Sequence, residues 1–182
     1  FRDEQEGGFF FTADDHEELI LRNKDLLDNA VPSGNAMAAT ALWRMSLFTG
    51  EDRYREAALE ALKVTGETMR RYPSAAAQSL QGVDLVEGPS YELVMAIDWN
   101  DEGDQRVLAD LQQRYLPNKV LAAVGPDSPE PPEAAAPLLK GKSRLGDAAT
   151  LYICEGFTCQ APAQGAEEIE HALDNLAPPK FQ

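Results

Sequence analysis

The sequence predicts a mixed fold: helical hairpins over residues 1–88, followed by a small α/β segment over residues 89–182 that contains a βαβ unit. Three observations predict it. A nearly all-apolar helical run precedes an amphipathic one, as the inner and outer helices of a layered helical array would. A strand–helix–strand pattern then follows within about thirty residues. Between them stands Gly88-Pro89, which ends regular structure.

The first thirty-odd residues read as loop, with a short extended piece at Phe9–Phe11. The first helix is expected from near Asn35 to Phe48, with Ser33 or Asn35 capping it, because either side chain accepts from a first-turn amide. It is apolar almost all round (Met37, Leu42, Trp43, Met45, Leu47), the mark of a buried helix, and Gly50 ends it. From about Asp52 to Tyr72, Tyr54, Ala58, Leu62, Thr65 and Met69 recur at three- and four-residue steps against a charged opposite face. Pro73 stops that helix, and a third is expected from about Ser74 through Leu85.

Tyr91–Ile97 is a short apolar run that suits a buried strand. Asp104–Tyr115 is an amphipathic helix with Val107, Leu108, Leu111 and Tyr115 on one face, and Lys119–Val124 is a second strand. A crossover of this length predicts parallel strands. Gly125–Pro137 holds five prolines and reads as surface loop. Thr150–Cys154 is a third strand candidate, Ala166–Leu176 a last helix, and Pro178-Pro179 its stop.

Acidic residues outnumber basic ones by 31 to 16, a formal charge of −15. That balance argues against nucleic acid, whose binding rests on Lys and Arg at phosphates, and against an anionic membrane surface. No apolar run approaches the ~20 residues of a bilayer span. Two cysteines are too few for a disulfide scaffold, so a reducing, cytoplasmic setting is expected. The chain opens at Phe1 without a methionine, which reads as a fragment.

The string Gly7-Gly8-Phe9-Phe10-Phe11-Thr12-Ala13-Asp14-Asp15-His16-Glu17 leads into Arg22-x-Lys24-Asp25 and Pro32-Ser33-Gly34-Asn35-Ala36. Further on stand Tyr115-Leu116-Pro117-Asn118-Lys119-Val120 and Cys154-Glu155-Gly156-Phe157-Thr158-Cys159-Gln160. Together, in this order, these strings resemble the C-terminal part of a family of large thioredoxin-domain-containing proteins, that of spermatogenesis-associated protein 20 and its bacterial relatives. The resemblance covers nearly the whole chain. It implies an N-terminal thioredoxin-like domain outside this chain, then a helical toroid similar to N-acylglucosamine 2-epimerases and six-hairpin glycosidases. Residues 1–88 would then be the closing hairpins of an (α/α)6 toroid. The redox Cys-x-x-Cys of a thioredoxin domain has no counterpart here, so thioredoxin activity does not carry over.

Asp14, Asp15 and His16 are the candidate catalytic residues, because paired carboxyls beside a histidine can do acid/base work on a sugar. The competing reading is a solvated acidic loop that caps helices. Glu17, Arg22, Lys24, Ser33 and Asn35 are the candidate substrate-binding residues. For Arg22 and Lys24 the competing reading is local ion pairing, and for Ser33 and Asn35 it is capping. Trp43 reads as core, whereas Trp99 in a polar turn is the better stacking platform for a sugar. Cys154 and Cys159 read as two free, partly buried thiols, with a disulfide across the intervening turn as the alternative. With His171 they make a weak metal set, and none is expected. The acidic turn Asp98–Asp104 would repel phosphate, so no nucleotide cofactor is expected.

Two functions follow as expectations. One is a sugar-active or sugar-binding toroid working through residues 8–35. The other is a non-catalytic scaffold or interaction module attached to a thioredoxin-like domain outside the chain. The expected partner is the rest of its own protein or a second copy, reached through an apolar helix left partly uncovered.

Overall fold

The computed structural model describes residues 1–17, 20–126, 128, 130 and 132–176. Pro129, Pro131 and the Pro178-Pro179 stop lie outside the described residues. Helices and a mixed five-stranded sheet make the protein a mixed α and β fold. It divides into two compact units, Phe1–Ser46 with Glu51–Glu87, and Leu47–Gly50 with Gly88–Gln182.

The first unit begins with a tight loop in which Arg2 bridges Phe9 and the Asp3 amide donates to the Gly8 carbonyl at 2.9 Å. Gly8 sits there at φ 73°, and a Cβ on it would come within 2.8 Å of both Asn35 and Val64, so only glycine fits. Helix α1 spans Gly34–Thr49, α2 Asp52–Arg71 and α3 Ala77–Glu87, with a 3₁₀ turn at Pro73–Ala75 where the third helix was expected to start. Pro73 heads that turn, where no N–H is needed, and α3 itself starts at Ala77. Small residues bring the helices together. Ala39, Ala61 and Leu62 form the core, with Phe9, Val83 and Val86 packed on it. A side chain at Gly82 would lie 2.9 Å from Leu62 Cδ2.

Helix α1 is not buried all round. Ala36, Ala39 and Thr40 are covered, whereas Met37, Ala41 and Met45 are exposed at four-residue spacing, one stripe of the helix. Apolar composition on every face does not itself supply a neighbour for every face.

In the second unit β1 spans Tyr91–Ala96, α4 Glu102–Gln113 and β2 Lys119–Val124. β1 and β2 are parallel, from Tyr91↔Lys119 to Ala96↔Val124, as the crossover requires. Asp101 caps α4, accepting from the Gly103 and Asp104 amides. That cap starts the helix two residues before the expected Asp104, and Tyr115 falls beyond its end, 78% exposed rather than on the buried face. The proline-rich stretch carries a 3₁₀ turn, Glu133–Ala135, and a short helix α5, Ala136–Leu139. Strand β3, Thr150–Glu155, runs antiparallel to β1, and β4 (Thr158–Cys159) and β5 (Ala163–Gln164) both pair with β3. Helix α6 is Gly165–Asp174. The strand order is β2-β1-β3-β4.

Alternation along the strands sends Leu93, Met95, Leu151 and Ile153 into one core with Leu108 and Leu111 of α4 and Ile169 and Leu173 of α6. Glu92, Val94, Thr150 and Cys154 occupy the other face and are buried as well. Both faces of β1 are therefore covered, which is why its sequence reads as a continuous apolar run.

Candidate functional site

The residues proposed from sequence separate into two groups, both within the first unit. Asp14, Asp15, His16 and Glu17 lie exposed on a turn, the Asp14 side chain 84% accessible. Arg22, Lys24, Ser33 and Asn35 are instead taken up by contacts that build the loop itself.

Asn35 stands at the start of α1 but does not cap it. Its Oδ1 accepts from the Phe9 amide at 2.7 Å, and its Nδ2 donates to the carbonyls of Phe9 and Asp25, each at 2.9 Å. The side chain is 1% exposed and pairs with Phe9 as a strand backbone would. The cap is Ser33, whose Oγ accepts from the Ala36 amide at 3.2 Å. Asp28 fixes the Ser33 end by accepting from its amide at 2.8 Å, and its other oxygen accepts from the Gln78 amide at 2.8 Å in the first turn of α3. One carboxylate thus holds two helix N-termini, where the helix dipoles favour a negative charge.

Lys24 reaches the turn at the head of the chain. Its ammonium lies 2.7 Å from Asp3 Oδ2, donates to the Gly7 carbonyl at 2.8 Å, and is only 12% exposed. Asp3 also accepts from the Gln5 and Glu6 amides. The hydrogen bond from Lys24, followed by those two amides, brings the Asp3 carboxyl down from 3.8 to about 2. Arg22 lies 4.2 Å from the centre of the Phe10 ring, a cation–π contact, and donates to the Thr12 carbonyl at 2.7 Å. Lys24 packs on the same ring at 5.1 Å.

Cavities open on this unit, two of them beside the loop. One, of about 580 Å³, is lined by Arg2, Glu6, Gly7, Glu60, Lys63 and Val64 among others. The other, of about 780 Å³, lies between residues 24–29 and the α2 end, with Leu26, Leu27, Glu67, Arg71 and Tyr72 on its walls. Neither takes in Asp14, Asp15 or His16. Acid/base work on a glycosidic bond requires carboxyls facing each other across an enclosed substrate, and this turn lines neither of these cavities. Asp3 escaped the sequence reading, and Asp28 was read only as part of the mixed-sign string with Arg22, Lys24 and Asp25, since Lys24 and Gln78 lie 21 and 50 residues from them along the chain.

In the second unit Trp99 is 37% exposed, with one edge of its ring held. Its indole N–H donates to Ser128 Oγ at 2.9 Å, and a side chain at Gly125 would meet the ring at 2.7 Å. Cys154 and Cys159, read as free thiols, are joined in a disulfide. The register brings them face to face across β3 and β4, because the two-residue turn between the strands leaves them as opposite partners. Among the described residues no group of three or more His, Cys, Asp and Glu is arranged to hold a metal, and no helix is long and apolar enough to cross a membrane.

The chain is 30% identical to human spermatogenesis-associated protein 20 over 174 residues, 95% of this chain and 22% of that protein. The mouse protein of the same name matches at 30% with the same coverage. An uncharacterized protein of Caenorhabditis elegans, B0495.5, is 25% identical over 93% of this chain and 23% of its own length. The similarity supports kinship with the spermatogenesis-associated protein 20 family, and the chain spans less than a quarter of the length of these relatives. No protein-family model and no solved structure matches.

Proposed function

We propose that this chain is a structural and interaction module of a larger protein, docking through the exposed face of α1, and that residues 8–35 are its brace. The observation that carries this reading is the stripe Met37–Ala41–Met45, with Met37 48% and Met45 40% exposed. Exposed apolar side chains in sequence on one helix face mark a surface that another element covers. The occupant we assign is the remainder of a longer chain, since the relatives carry more than three quarters of their length beyond the matched region. The (α/α)6 toroid implied by the sequence resemblance supplies such an occupant, a neighbouring hairpin of the same ring.

A sugar-active site is the less favoured reading. It would require Asp14, Asp15 or His16 to meet a wall from the rest of that toroid.

Sedimentation velocity of the chain tests the docking face. Cut off from its neighbour, the stripe drives concentration-dependent self-association, and Met45→Glu abolishes it while leaving the circular dichroism unchanged. A wild-type chain that sediments as a monomer at every concentration contradicts the proposal.

A further inference from the structure

We infer that the Cys154–Cys159 disulfide is a thiol–disulfide exchange site, in which Cys159 is the sulfur attacked by an external dithiol. Three observations converge on it. The pair is asymmetric: Cys154 is 1% exposed, whereas Cys159 is exposed on β4, which ends the strand order. An incoming thiolate therefore reaches one sulfur and not the other.

The bond also has little to do for the fold. It closes a loop of a few residues, and the entropy a cross-link removes from the unfolded chain grows with the loop it closes. The hairpin has other ties. The Phe157 amide donates to Glu92 Oε2 at 2.9 Å, and the Gln160 amide to the Ile153 carbonyl at 2.9 Å. Glu92 is fully buried on β1, directly opposite Cys154 in register, so the tip is anchored to the sheet independently of the sulfurs.

Finally, the turn sets the pairing without the sulfurs. Gly156 and Phe157 both take left-handed φ, 55° and 61°. A two-residue hairpin turn demands this, yet a bulky residue such as phenylalanine disfavours it. The two-residue turn therefore holds Cys154 and Cys159 opposite each other whether or not the bond is closed.

The exchange balances as follows. A thiolate of the dithiol attacks Cys159 Sγ and forms a mixed disulfide. The Cys154–Cys159 bond breaks, and its electron pair leaves on Cys154, which takes a proton from water. The donor's second thiol gives up its proton and attacks the donor sulfur of the mixed disulfide. Cys159 departs with that electron pair and is protonated. Two electrons have passed to the protein, and the donor leaves as its own disulfide.

The test uses the whole chain without denaturant. Dithiothreitol should reduce the pair while the circular dichroism and the cooperative melt persist. A limiting alkylating agent should then label Cys159 about tenfold faster than Cys154. With oxidised glutathione, Cys154→Ser should form a mixed disulfide at Cys159, and Cys159→Ser should form none at Cys154. Should a serine variant fail to fold, the order of alkylation in the wild-type chain decides. A disulfide that resists dithiothreitol until the chain is unfolded, a fold lost on reduction, or equal labelling of the two sulfurs would each overturn the inference.

Discussion

Asn35 commits its amide to the backbone of a loop 26 residues earlier, and this sets what its replacement does. Asn35→Ala leaves half-buried backbone groups of Phe9 and Asp25 without their partner and is expected to cost about 2–4 kcal/mol, read from urea unfolding. Asp15→Asn, on the exposed turn, should stay within about 0.5 kcal/mol. Equal effects would show that Asn35 is not the brace of this loop. Asp3 makes a pH prediction. Its carboxyl titrates near 2 folded against 3.8 unfolded, chiefly because Lys24 donates to it. The unfolded chain therefore binds the proton first as pH falls. The stabilisation is complete above about pH 4 and lost toward about pH 2. Urea midpoints should decline over that window, and Asp3→Asn should flatten part of the decline. An unaltered slope would contradict the Lys24 pairing. At this scale local roles were legible and distant ones were not. Ser33 as a cap needs only the three residues after it, whereas the pairs Asn35–Phe9, Asp3–Lys24 and Asp28–Gln78 exist only once the folded chain brings them near.

Elements were legible where packing on both faces dictates composition. The Tyr91 strand and Lys119–Val124 stand where the apolar runs put them, parallel, because β1 is buried on both faces and the helical crossover fixes the direction of β2. Leu93→Ala, at the centre of that sheet and fully buried, should cost about 2–5 kcal/mol in the same measurement. A loss below about 1 kcal/mol would mean that the site collapses around the smaller side chain. Boundaries followed caps rather than periodicity. Asp101 begins α4 early, and Tyr115, in helical phase with Leu111, is left outside the helix that would have buried it. The strands β4 and β5, two residues each, were too short to leave a pattern, and the disulfide depended on β4. Two free thiols is the reading that the usual burial of free cysteine favours, and no residue pattern marks the β3–β4 register that joins them.

The whole molecule is two units with separate cores, one knit by small residues between helices and one by a mixed sheet. Composition along α1 was legible, and under the proposed function its exposed Met37–Met45 stripe is the face that docks on the rest of a longer chain. Methionine oxidation by peroxide tests that central claim most directly, since oxidation tracks exposure and the chain carries its own controls. Met37 and Met45 are exposed, and Met95 is fully buried. In the dilute 182-residue chain, Met37 and Met45 should oxidise rapidly while Met95 does not. In the same sequence carried within a chain of the relatives' length, both should be protected to a rate near that of Met95. Oxidation of Met37 and Met45 at the same rapid rate in both forms would contradict the account.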